Sequence, residues 1–117
     1  MKRVLAILCL FFLLGCKKEN VDGIVLITVI HDGKVVPNPT IYMKKGANEN
    51  PKIPLSSYDL NVSGNSSGQA VFEKLSADSY YFYATAKVDT LLIAGGAVAT
   101  VIPKVAPNRY EIKINAE

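Results

Sequence analysis

Side chains able to do chemistry are few in this chain. Its 117 residues include one histidine, His31, and two cysteines, Cys9 and Cys16. His31 could be drawn with Ser56 or Ser57 and Asp59 into a hydrolase triad, because a histidine oriented by a carboxylate activates a serine hydroxyl. No G-x-S-x-G elbow is present to lift a serine onto a sharp turn, and nothing in the spacing joins these residues. A turn histidine beside Asp32 reads as solvated, so no catalytic residue is assigned. A single imidazole and the absence of a D-x-D-x-D-G loop also give no metal site, apart from loop carboxylates that could share a surface Ca²⁺. No glycine-rich loop runs into a helix to cradle a phosphate, so no cofactor is expected. Three aromatics remain. Tyr42, Tyr81 and Tyr83 fall on outward positions of the strands described below, and such a strip could take a sugar, a peptide or a partner protein. The same arrangement also serves as plain cross-strand packing.

Cys16 has a different context. Met1-Lys2-Arg3 is a cationic start, and residues 4–14 form an unbroken apolar run. A bilayer-spanning helix needs about 20 such residues, whereas this length suits the core of a cleavable signal peptide. The run ends in Leu13-Leu14-Gly15-Cys16 and switches abruptly to Lys17-Lys18-Glu19-Asn20. This pattern resembles the lipobox of bacterial lipoproteins, with a small residue before the cysteine. The resemblance implies a diacylglycerol thioether on Cys16, cleavage after Gly15 and acylation of the new amino terminus. One acyl chain holds a protein marginally, whereas two or three anchor it, at about 0.8 kcal/mol per buried methylene. Lys17 is not the aspartate that retains lipoproteins in the inner membrane, which points to the outer membrane. The charged opening is similar to that of Bacteroidetes lipoproteins, some of which reach the cell surface.

Removal of residues 1–15 takes Lys2 and Arg3 and no acid, so the formal charge falls from +3 to +1. A near-neutral surface gives no reason to expect nucleic acid, which needs clustered Lys and Arg. It also takes Cys9, and lipid would block Cys16, which leaves the mature domain without a free thiol or a disulfide. Stability must then come from packing, in a chain of about 100 residues that supports one core.

The elements that must position these groups read as strands. Residues 16–23 form a polar, lipidated tether. Residues 24–30 are Val/Ile-rich, with Ile24, Leu26 and Ile30 on one face and Val25, Ile27 and Val29 on the other. A central strand covered on both sides has that pattern, with either this chain or a partner as the cover. His31-Asp32-Gly33-Lys34 is a turn, and Val35-Val36-Pro37-Asn38-Pro39 is a proline-locked connector. Residues 40–43 alternate, 44–57 are loop, and 58–62 alternate with Tyr58, Leu60 and Val62 together. Residues 70–75 and 80–86 are strands separated by a turn. Residues 90–103 carry no charge, and Gly95-Gly96 suits a two-residue hairpin turn between arms 91–94 and 97–102. Residues 110–114 close the chain. About seven short strands and no helix argue for a seven-stranded antiparallel Greek-key β-sandwich over residues 24–117.

Two stretches resemble the carboxypeptidase regulatory-like domains, which share the transthyretin-like (prealbumin-like) sandwich. The family pattern of a strand, a D-x-x-G-type turn and V-x-G-A-x-V-x-L is similar to Val29, then Asp32-Gly33, then Val36-Pro37-Asn38-Pro39-Thr40-Ile41-Tyr42-Met43. The family continues D-x-x-G-x-F-x-F-x-x-L-x-x-G-x-Y-x-L. Here Asn65, Gly68, Ala70, Phe72, Leu75, Asp78, Tyr80 and Phe82 stand in that spacing without a gap. Asn38 and Asp78 replace glycines, Pro39 an alanine and Ala70 an aromatic; Asn and Asp are the residues that best tolerate positive φ. The resemblance covers residues 24–86. It implies a sandwich without catalytic residues, used as an accessory, adhesive or assembly module.

By strand alternation, Phe72, Tyr80, Phe82 and Ala84 point inward, and Tyr42, Tyr81 and Tyr83 outward. The expected protein is therefore a non-enzymatic, lipid-anchored envelope module. Its membrane partner is reached through Cys16, and a protein or glycan partner would use the tyrosine strip. Asp89-Thr90-Leu91 looks like a short acceptor for O-glycosylation in Bacteroidetes.

Overall fold

The computed structural model describes residues 19–117; Cys16 and the apolar run before it lie outside the described residues. Ten strands follow in order. They are β1 (Asn20–Val21), β2 (Gly23–His31), β3 (Lys34–Val35), β4 (Thr40–Lys45), β5 (Leu60–Ser63), β6 (Gln69–Leu75), β7 (Asp78–Val88), β8 (Leu91–Val101), β9 (Lys104–Val105) and β10 (Arg109–Asn115). Among the described residues the only helical element is a 3-10 turn, Leu55–Ser57.

The strands make two four-stranded sheets and one small ribbon. In the first sheet β2 is central, with β10 along one edge and β6 and β3 sharing the other. The second sheet has the order β5-β4-β7-β8, and β1 pairs with β9. All pairings are antiparallel except β10 with β2, which run parallel from Arg109↔Ile24 to Asn115↔Ile30. Only the carboxy-terminal strand departs from the antiparallel expectation.

The residue types explain the layers. On β2, Val25, Ile27 and Val29 are fully buried, and the register sets Ile112 and Ile114 of β10 and Phe72 and Ala70 of β6 beside them. The second sheet supplies Ile41, Met43, Tyr80, Phe82, Ala84, Ile93, Ala99 and Val101 to the same core. Phe72 and Phe82 meet across the layers with ring centroids 5.0 Å apart, within the favoured range for aromatic pairs. The inward set read from alternation is thus in place. The other face of β2 is only half covered: Ile24, Leu26 and Ile30 are intermediate in exposure, and Val71, opposite Leu26, is 45% exposed.

The turns follow local chemistry. Asp32 adopts φ 51° in the β2–β3 hairpin, and Asn38 takes φ 54° at a position where the resembled family has glycine. Asp78, the other such position, is not left-handed; Lys74 is, at φ 57°. At the β5–β6 turn the Asn65 side chain accepts from the backbone N–H groups of Ser67 (2.9 Å) and Gln69 (3.0 Å).

Two expectations need correction. The tether does not run free to residue 23, because Asn20 pairs with Val105 and Val21 with Lys104. Nor do Gly95 and Gly96 form a turn. They lie in the middle of an eleven-residue β8 that pairs with β7 along its whole length. The hairpin turn falls instead at Asp89-Thr90, between the paired Val88 and Leu91, and Asp89 supplies φ 57°. The glycines are there for closeness. A Cβ on Gly95 would stand 2.5 Å from the backbone oxygen of Asn115, and one on Gly96 would fall inside the Tyr81 hydroxyl end. Glycine is the residue that admits such an approach within a strand.

Gly95→Ala must move the backbone of β10's end, whereas Gly96→Ala need only displace the far end of a tyrosine. Gly95→Ala is therefore expected to lower stability by about 1–3 kcal/mol and Gly96→Ala by less, read from denaturant midpoints. Equal losses, or a larger loss for Gly96→Ala, would refute this reading of the pair.

Candidate functional site

The three tyrosines singled out from the sequence do share one face. In the β4–β7 ladder Tyr42 sits directly opposite Tyr83, and Tyr81 lies two residues along β7 on the same side. They are not equally available. Tyr81 is only 7% exposed, because its ring extends over the strand next door where Gly96 has no side chain. Tyr81 therefore forms part of the floor, which corrects the expectation of a wholly exposed strip. Tyr42 and Tyr83 are half-buried.

A fourth ring completes the face. Tyr58 lies 5.9 Å from Tyr42, edge to face at 61°, and 6.4 Å from Tyr83. Its position is set by the next residue. The Asp59 carboxylate accepts the backbone N–H of Lys45 at 2.7 Å and the Lys44 ammonium at 3.3 Å, while the Asp59 N–H donates to the Met43 carbonyl at 2.9 Å. The backbone N–H of Lys45, followed by the Lys44 side chain, holds the Asp59 carboxyl below its usual range against a smaller opposing effect of burial. Tyr58 itself stands before the ladder of β5, so alternation with Leu60 and Val62 does not bind it. Leu60 is 47% exposed, and Tyr58 turns to the aromatic face.

Beside these rings runs a groove of about 460 Å³. Tyr58, Tyr83, Ile53 and Leu92 line it with apolar surface, and Asn50, Lys52, Thr85 and Glu117 add polar groups. The loop of residues 46–57 thus has a role that its composition did not disclose. A concave site with apolar walls and a few polar groups is the usual form of a ligand site.

A second depression, about 730 Å³, lies between the β2–β3 turn and the β7–β8 hairpin and includes His31, Asp32, Lys34, Asp89 and Leu91. His31 Nδ1 is 2.8 Å from the carbonyl oxygen of Ala116, and Nε2 is 3.3 Å from Asp32. Asp59 is engaged by Lys44 and Lys45, and no hydrogen bond among the described residues joins His31, Ser56, Ser57 and Asp59 into a relay. Among the described residues no three His, Cys, Asp or Glu side chains cluster to hold a metal. Asp89, Thr90 and Leu91 are exposed at the hairpin tip.

Burial, then the neighbouring Tyr81 and Tyr83, pushes the Tyr58 hydroxyl above the ordinary phenol range; burial, then Tyr83, does the same for Tyr81. A raised folded-state value means that the neutral rings contribute stability up to the ordinary phenol range near pH 10. That contribution is lost as pH rises through the higher folded values. An absorbance titration should show a late-ionising component that shrinks in Tyr58→Phe. A component unchanged by that substitution would count against the packed cluster.

No protein-family profile and no curated protein matches the chain. Among solved structures the fold is similar to that of a Pseudomonas aeruginosa protein provisionally described as carbohydrate binding. The TM-score is 0.50 at 11% identity, over 87% of this chain and 93% of that one. What the two chains share is a β-rich fold.

Proposed function

We propose that the protein is a non-enzymatic, lipid-anchored module of a bacterial cell envelope, held in the outer membrane through Cys16. The observation that carries this reading is the junction between the signal and the domain. Leu13-Leu14-Gly15-Cys16 resembles a lipobox, and strand pairing begins at Asn20, four residues after the cysteine. An apolar segment of that length is a signal core rather than a span. In its finer form the proposal makes the sandwich a Greek-key, transthyretin-like domain of the carboxypeptidase regulatory-like kind. Asn38 at φ 54° and the Asn65-organised turn before Gly68 support that reading.

A specific observation favours carbohydrate as the ligand class. Tyr58 and Tyr83 present ring surface in a groove that also carries an amide (Asn50), a hydroxyl (Thr85), an ammonium (Lys52) and a carboxylate (Glu117). Aromatic faces take the C–H surface of a sugar ring, and mixed donors and acceptors take its hydroxyls. The provisional description of the structurally similar protein runs the same way.

Two measurements test these readings. Cys16→Ser is expected to abolish palmitate incorporation and to move the protein from the membrane to the soluble fraction; a variant that stays membrane-bound would falsify the anchor. On a glycan array, Tyr83→Ala and Tyr58→Ala should each weaken binding by about tenfold, the scale of one aromatic contact. Binding that both substitutions leave intact would remove the groove from consideration.

A further inference from the structure

We propose that the end of the sandwich built from β1, β9 and residues 102–107 seats in the headgroup layer of the membrane that holds the anchor. The inference rests on lipidation at Cys16 and adds an orientation to it. Residues 102–107 are Ile102, Pro103, Lys104, Val105, Ala106 and Pro107, and every one of them is exposed. Ile102 is 52% exposed, Val105 38%, and Val21, on the strand paired with β9, 43%. A run with one charge among apolar residues is costly to leave in water, at about 25 cal/mol per Å² of apolar surface.

The anchor lies close to this patch along the chain. Four residue steps separate Cys16 from Asn20, so the Cα of Cys16 can be no more than about 14 Å from that of Asn20 in β1. That limit is within about twice the ~5–10 Å depth of an interfacial layer, so β1 is held close to the membrane surface. The patch and the chain leading to the anchor form one unit. The buried Asn108 amide donates to the Val21 carbonyl at 3.0 Å and to the Ile102 carbonyl at 3.1 Å, and Asn20 and Val21 pair with Val105 and Lys104. Charge at this end is near balance: Lys104 and Arg109 stand there with Glu19, Asp22 and Glu111, and the sequence ahead of them adds two basic residues, Lys17 and Lys18. The other apolar tip, with Leu91 57% and Leu92 70% exposed, lies at the opposite end beside the β2–β3 turn. An end-on contact at β1–β9 therefore holds the tyrosine groove, which Leu92 helps to line, away from the lipid.

The experiment uses the full, lipid-processed protein in vesicles of phosphatidylethanolamine and phosphatidylglycerol. An environment-sensitive fluorophore is attached to Ile102→Cys, Val105→Cys or Leu92→Cys in turn. These positions are exposed, and the native Cys16 is capped by lipid. The expected result is loss of emission at positions 102 and 105 when the vesicles carry a nitroxide lipid labelled near the headgroup, with emission at 92 retained. Protein that is membrane-bound and palmitate-labelled, yet quenched at none of the three positions, would overturn the orientation while leaving the anchor intact. Protein that takes up no palmitate and stays soluble would overturn the anchor, and the orientation with it. Probes at 102 and 105 that are shielded from aqueous iodide but not reached by the nitroxide lipid would show a protein cover, which also overturns the proposal.

Discussion

Both edges of β2 are engaged, and the way its amino-terminal half is closed sets the rest of the molecule. The parallel partner β10 begins beside the start of β2. The chain must therefore leave β8 in the second sheet, cross the end of the sandwich and enter β10 next to Ile24. Asn108 holds that crossing. It is 3% exposed, its carbonyl accepts the Ile24 N–H at 2.8 Å, and its side-chain amide donates to the carbonyls of Val21 and Ile102. Two carbonyl acceptors fix which way the amide faces. One buried residue, through its backbone carbonyl and its side-chain amide, thus joins β1, β2, β8's exit and β10, and the exposed crossing and the β1–β9 ribbon are consequences of where it sits.

The aromatic face depends on a second, more local constraint. β8 can lie close to both β7 and the carboxy terminus because Gly95 and Gly96 leave room, one for backbone and one for the Tyr81 ring. Tyr81 then fills the floor, and Tyr42, Tyr58 and Tyr83 build upward from it. Glu117 is held at the groove's edge by a reciprocal pair of backbone bonds with Ala94, at 3.0 and 3.1 Å. Strand packing and groove shape are therefore one arrangement.

Much of the core is legible because period-two patterns read directly as faces: Phe72, Tyr80, Phe82 and Ala84 are all buried as alternation requires, whereas for β2 the pattern groups Val25, Ile27 and Val29 without saying that theirs is the buried face. The facing of Tyr42, Tyr81 and Tyr83 was legible for the same reason. What the pattern could not carry was anything set by distant partners. Gly95-Gly96 has the local chemistry of a hairpin turn, and only the neighbouring Tyr81 and Asn115 make it a strand interior. Asp89, which takes the turn at φ 57°, belongs to a residue type that tolerates positive φ, but the local sequence does not single it out as a turn. The parallel entry of β10 carries no sequence mark. Alternation alone places Tyr58 with Leu60 and Val62, because the bonds from Asp59 to Lys44 and Lys45, which release it, span 15 and 14 residues. Asn108, an ordinary polar residue between proline and arginine, gives no hint of its burial.

The parallel pairing has a mechanical side. A pull between the amino-terminal end and the far end of the sandwich runs along the nine residues of β2, about 30 Å of strand. Seven register pairs tie that strand to β10, and their hydrogen bonds lie broadly across the pull. Such bonds must shear together rather than open one by one like a zip. The two-residue β1–β9 ribbon would give first, while the body of the domain bore the load. A domain built this way holds its groove in shape when pulled from its amino-terminal end.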